Sequence, residues 1–135
     1  MHKVLEPQGH ANPGSKFAPG MEVAPDSRWC FVSGQVGLDG QGNLPDDSES
    51  QIQNAFDNVF AVLREADMGP ADVVRLNIYL TDAGDVAIYR RIRDDRMEGR
   101  LTASTLLVIS ALVDPKMKVE IEAVAAQMAS PGRAA

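Results

Sequence analysis

The sequence predicts an α+β domain: one sheet with two helices on one face, in the order β-β-α-β-α-β-β. Three observations lead there. Apolar residues recur at spacings of three and four from Ile52 to Ala66, which marks an amphipathic helix. Val73 to Leu80 alternates, which marks a strand with two unlike faces. A second alternating stretch, Val119 to Ala125, carries Glu120 and Glu122 among Val119, Ile121 and Ala123.

Taken in order, residues 1–20 are rich in proline, glycine and polar groups and read as irregular, with 1–14 an irregular arm of the domain. Residues 128–135 read as a flexible tail, so 1–135 is a single domain. MEVA (21–24) and RWCFVSGQV (28–36) flank Pro25-Asp26-Ser27, a turn signal, and read as a hairpin. GLDGQGNLPDD (37–47) is a loop; its loose glycine spacing opens no helix at the offset a nucleotide loop needs.

Ser48 followed by Gln51 fits a capping box. Ile52, Ala55, Phe56, Val59, Phe60, Leu63 and Ala66 then form one helix face, and Gly69-Pro70 stops it, glycine supplying a positive-φ cap. In the strand over 71–82, Val74, Leu76, Ile78 and Leu80 point one way, while Val73, Arg75, Asn77 and Tyr79 point the other. A second helix covers 83–97 with Val86, Tyr89 and Met97 inward and the Arg/Asp cluster from Arg90 to Arg96 outward. After the break at 99–103, Ser104 to Ala125 reads as two strands joined by a turn.

With both helices on one face, the other sheet face holds Glu120, Glu122, Arg75 and Asn77, too polar for a monomer core. Its apolar remainder, with Val73, Tyr79 and parts of 28–33 and 105–109, exceeds what a monomer shows to water. A homo-oligomer packing this face around polar clefts fits both.

Composition narrows the function. The chain has 135 residues, enough for one core, with 44 % apolar, 24 % charged and 5 % aromatic residues. A net charge of −6 argues against nucleic acid and anionic membrane as main partners, because phosphate contacts need a basic patch. One cysteine, Cys30, allows no internal disulfide and no zinc cluster and reads as a small buried apolar group. His2 and His10 lie in a polar stretch, read as a solvated pair, and are too few for a metal site. No cofactor or metal is expected. No apolar run approaches membrane-spanning length and no signal-peptide pattern opens the chain, so the cytoplasm is the expected compartment.

Two places carry chemistry. Ser33-Gly34 offers a hydroxyl and a backbone N–H where no Cβ blocks a ligand, or else is a plain strand end or bulge. Glu120 and Glu122, two apart, share a strand face. Apolar surroundings raise a carboxylate's pKa and tune it for general acid/base work; the alternative is a solvated pair, or one matched to Arg75 or Lys118.

FVSGQVGLD (31–39), NVFAVLREADMGPADVVRLNIYLTD (58–82) and VEIEAVA (119–125), in that order, resemble the RidA (YjgF, formerly L-PSP endoribonuclease) family across residues 15–127. The resemblance implies a chorismate-mutase-like α+β fold and a homotrimer with small-molecule clefts between subunits. It implies hydrolysis of reactive enamines and imines, such as 2-aminoacrylate, to keto acids and ammonia. In the family an arginine fork holds the substrate carboxylate, a glutamate of the last strand positions water, a Ser-Gly step contributes a backbone N–H, and an N-terminal tyrosine closes the site.

Carried over, Glu120 falls on the water-positioning glutamate and Ser33-Gly34 on the Ser-Gly step. Phe17 keeps the N-terminal ring without its hydroxyl. The family's Pro-Ala-Arg-Ser/Thr reads Thr102-Ala103-Ser104-Thr105, so the arginine has become Ser104, and Leu106 stands where some members have cysteine. The loop LVDPKM (112–117) is one residue longer than in founding members. A charge-assisted hydrogen bond is worth about 1.5–3 kcal/mol, so losing the fork costs a 2-imino acid roughly ten- to a few hundredfold in binding unless Arg90 or Arg75 compensates. The expectation is therefore a Rid-type hydrolase or deaminase with Glu120 catalytic and Ser33, Gly34, Ser104, Phe17 and Arg90 binding substrate. Its founding-type 2-aminoacrylate activity is in doubt. The alternative is a non-catalytic trimer that binds a metabolite in the same clefts; an endoribonuclease is the weakest reading.

Overall fold

A computed structural model of the chain describes residues 2–11 and 13–129. The strands are β1 (Lys3–Leu5), β2 (Gly20–Glu22), β3 (Ser27–Val36), β4 (Val73–Leu80), β5 (Ala103–Val108) and β6 (Val119–Met128). The helices are α1 (Ser48–Glu65) and α2 (Val86–Arg96), with short 3-10 turns at Pro70–Asp72 and Ala83–Asp85. The main sheet runs β3-β6-β4-β5, with β6 antiparallel to both neighbours and β4 parallel to β5.

Both helices pack on one face of this mixed sheet, giving the expected α+β layering. The α1 stripe of Ile52, Ala55, Phe56, Val59 and Leu63 is completely buried. It meets the inward residues of the two central strands, paired as Leu76 with Ala123, Ile78 with Ile121 and Leu80 with Val119. Tyr89, Ile92 and Met97 of α2 join the same core, Tyr89 stacking on Phe56 at 6.0 Å between ring centres.

Several expectations are corrected. The last two strands do not form a hairpin, because β4 lies between them. The α2 crossover returns the chain to the end of the sheet where β4 begins, so β5 pairs parallel with β4, and 109–118 must then span back to β6. The opening hairpin is absent too: β2 pairs with β1, inside the stretch expected to be irregular, while β3 pairs with β6. His2 is not simply solvated, since its Nε2 lies 2.6 Å from the Ala126 carbonyl and its Nδ1 accepts from the Ala24 N–H. Of the expected tail, Met128 ends β6 and residues 130–135 lie outside the described residues.

The helix ends differ by a residue or two. Asp47, not Ser48, caps α1, accepting from the Ser50 N–H at 2.8 Å. Gln51 turns into the core, donating to the Pro45 and Lys116 carbonyls and accepting from the Lys118 N–H. It thereby ties α1 to the loop before β6. At the other end Asp67, not Gly69, takes the left-handed conformation (φ 55°). The Met68 N–H bonds to the Leu63 carbonyl and the Asp67 N–H to that of Arg64, the paired bonds of a Schellman stop. Val73, expected on the open face, is buried, because the β4–β6 register shifts between Val73 and Arg75. Within the cluster expected to face outward, Arg93 is buried.

Candidate functional site

The expected site residues fall into two groups. The first is at the junction of β3 and β6. Between the pairs Val32–Ala123 and Gln35–Ile121, two residues of β3 stand against one of β6, so Ser33 and Gly34 form a bulge. The bulge exposes both and turns Gly34 toward Glu120: a Cβ on Gly34 would lie 2.3 Å from Glu120 Oε2 and 2.7 Å from its Cδ. The Glu120 carboxylate thus occupies the space left by the missing side chain.

The two glutamates separate in role. Glu122 Oε1 accepts from Asn77 Nδ2 (3.0 Å) and from the Tyr79 hydroxyl (2.8 Å), and this bond pushes Tyr79 above the ordinary tyrosine range, with burial adding to it. Glu120 has no hydrogen-bond or ion-pair partner among the described residues. Arg75, one of the cations considered for this face, donates to Thr105 instead.

The second group lines a cavity of about 210 Å³ on the helix side of the sheet. The chain before β2 runs along the outer edge of β5: the Ala18 N–H bonds to the Thr102 carbonyl at 2.9 Å and Ala18 pairs with Ala103. That anchor sets Phe17 and Ser15 beside Ser104, which faces the helices because its β4 partner is the buried Leu76. Tyr89, Arg90 and Arg93 of α2 complete the wall. Phe17, Ser104 and Arg90 are therefore brought together. They lie across the sheet from Ser33, Gly34 and Glu120, so one chain does not unite the six.

Tyr89 and Arg93 were not expected at the site. Tyr89 reads as plain core in the sequence and Arg93 as a solvated charge, although their four-residue spacing puts both on one helix face. The Arg93 guanidinium lies 5.9 Å from the Tyr89 ring centre. Its Nε and Nη2 donate to Asp94 Oδ1 (3.1 and 2.9 Å) and its Nη1 to Ser15 (3.3 Å). The buried Tyr89 hydroxyl has no partner among the described residues, and burial raises its pKa well above the ordinary range.

A larger cavity, about 610 Å³, lies beside the β1–β2 ribbon, with Met21, Val73, Arg100 and Met128 in its wall, and holds none of the expected residues. Among the described residues, no group of three or more His, Cys, Asp or Glu side chains is placed to hold a metal ion.

Comparison with known proteins agrees with this architecture. The sequence pattern of the family described as endoribonuclease L-PSP matches residues 13–127. The Rattus norvegicus protein named 2-iminobutanoate/2-iminopropanoate deaminase is 32 % identical over 103 residues, 74 % of each chain. The crystal structure of YyfB from Yersinia pestis, a protein of unknown function in the conserved Rid family, superimposes with a TM-score of 0.84 at 29 % identity, covering 93 % of this chain and 98 % of that one. Escherichia coli TdcF, solved with bound serine, superimposes with a TM-score of 0.67 at 25 % identity, covering 93 % and 98 %. With its two-helix sheet and a family match over residues 13–127, the chain belongs to the RidA/YjgF (endoribonuclease L-PSP) family.

Proposed function

We propose that this protein hydrolyses small imines or enamines to the carbonyl compound and ammonia, in clefts completed by neighbouring copies of the chain. The observation that carries this reading is the Glu120 carboxylate, seated on Gly34 beside the exposed Ser33 and left without a partner. A carboxylate so placed takes a proton from water as the water oxygen adds to the C=N carbon. It returns that proton to the nitrogen to give the carbinolamine, then carries the carbinolamine O–H proton to the same nitrogen as the C–N bond breaks, the C=O forms and ammonia leaves.

The division of the site across the sheet supports a shared cleft, in which the Gly34–Glu120 corner of one copy faces the Phe17–Ser104 cavity of another. The open sheet face, where Trp29 and Phe31 stack at 6.2 Å and are 52 % and 73 % exposed, supplies apolar area for such packing. We assign a homotrimer, as in the family. No helix among the described residues is long and apolar enough to cross a membrane. We assign the protein to the cytoplasm, where a lone cysteine stays reduced.

The test supplies 2-aminoacrylate or its four-carbon homologue from a dehydratase acting on serine or threonine and follows keto-acid release. Wild type should accelerate release, and Glu120→Gln should lower the rate about 10²- to 10⁴-fold while still binding a keto acid. A metabolite-binding trimer would instead show binding with no acceleration in either protein. Leu106 also lines the cavity, and mixed assemblies of Glu120→Gln with a chain blocked there by Leu106→Arg should regain activity. No recovery, or a monomer by light scattering, would sink the shared cleft.

A further inference from the structure

We propose that Tyr89 and Arg93, side by side on α2, form an anchor for the carboxylate of a small monocarboxylic acid in the cavity between the N-terminal arm, α2 and β5. This deepens the preceding reading and rests on it for the chemistry the ligand undergoes; the anchor itself stands on the cavity's own geometry.

Two groups with unused hydrogen-bonding capacity meet there. Arg93 is 7 % exposed, and a guanidinium so buried needs its donors satisfied. It has five N–H groups and makes three hydrogen bonds: two to a single Asp94 oxygen and a longer one to Ser15. Two N–H groups therefore have no acceptor among the described residues. One turn earlier, Tyr89 is fully buried and its hydroxyl has no partner. The Tyr89 hydroxyl is a buried atom without a partner, and Arg93, ion-paired to Asp94, has N–H groups to spare beside it; one ligand satisfies both.

The ligand's chemistry follows from what is unpaired. The guanidinium can only donate, and the Tyr89 hydroxyl can donate as well. The wall contains two arginines and no carboxylate: Asp94 pairs with Arg93 but does not line the cavity, and exposed Arg90 adds positive charge. A carboxylate matches this arrangement, accepting from the guanidinium and from the hydroxyl. A volume of about 210 Å³ is below that of pockets for drug-sized ligands, so the acid is a small metabolite. Tyr89 and Arg93 reach this cavity from α2, opposite a ring and a neutral hydroxyl.

The test measures binding of 2-oxobutanoate and of its neutral amide to the assembled full-length protein by calorimetry. Wild type should bind the acid more tightly than the amide. Arg93→Gln should weaken acid binding roughly ten- to a hundredfold and abolish the preference, and Tyr89→Phe should weaken it about two- to tenfold. Because Arg93→Gln also loses the Asp94 and Ser15 bonds, Ser104→Asp serves as a second probe. It leaves Arg93 in place but puts a negative charge in the cavity wall, and should remove acid binding.

Equal binding of acid and amide by wild type, or no binding of either, overturns the anchor, as does undiminished acid binding by folded Arg93→Gln or by Ser104→Asp. The two readings fail separately. Acid binding that depends on Arg93, without turnover, upholds the anchor and rejects the deaminase; full turnover in Arg93→Gln does the reverse.

Discussion

Gly34 and Gly37 lie three residues apart at the end of one strand, yet each is required by a different face of the sheet. A Cβ on Gly37 would come within 2.5 Å of Gln51 Cα and 2.7 Å of its carbonyl oxygen, the backbone of the first turn of α1. A Cβ on Gly34 would meet the Glu120 carboxylate at 2.3 Å. The first glycine lets a helix approach a strand; the second leaves room for the Glu120 carboxylate. Backbone cannot step aside and the end of a glutamate can, so the same substitution should harm stability at one position and chemistry at the other.

Gly37→Ala should produce the larger effect, a loss of about 3 kcal/mol at the upper end of overpacking, measured by urea denaturation. A loss below about 0.5 kcal/mol would mean that α1 can shift, and the contrast between the faces would dissolve. Gly34→Ala should stay within about 1 kcal/mol of wild type in stability, since alanine also restricts the unfolded chain. Its imine-hydrolysis rate should fall roughly ten- to a hundredfold through displacement of Glu120. Unchanged turnover would show that the seat on Gly34 does not position the carboxylate.

The smallest effect separates the tyrosines of the two faces. Both ionise above the ordinary value of 10.0, Tyr79 first through its bond to Glu122 and Tyr89 first through burial. An ultraviolet titration of wild type should therefore show no tyrosine ionising near pH 10, and Glu122→Gln should return Tyr79, but not Tyr89, toward it. Because the folded pKa is raised, the Tyr79 contribution to stability is fully present below about pH 10 and is lost as pH rises through the folded value. Ionisation of both tyrosines near pH 10 in wild type would remove the distinction.

Much of this architecture is legible in residue order. The α1 stripe is a 3.6-residue repeat whose central members are all fully buried, and Leu76, Ile78 and Leu80 alternate into the core as their spacing requires. Strand neighbours are not legible in the same way, because alternation says which face a residue takes and nothing about which strand lies beside it. A terminal hairpin and a strand pair split by β4 look alike in sequence. Helix caps slip for a related reason: Ser48 and Asp47 are both good capping residues, and the core's demand for Gln51 decides between them.

Sequence alone determined the fold class and the family, since these rest on local periodicity and on motifs of a few residues. Tertiary structure decided which polar groups share a space. Gln51, Tyr89 and Arg93 each owe their surroundings to segments distant in the chain. An arginine written among charges reads as solvated until packing of the N-terminal arm against β5 and α2 closes a cavity around it.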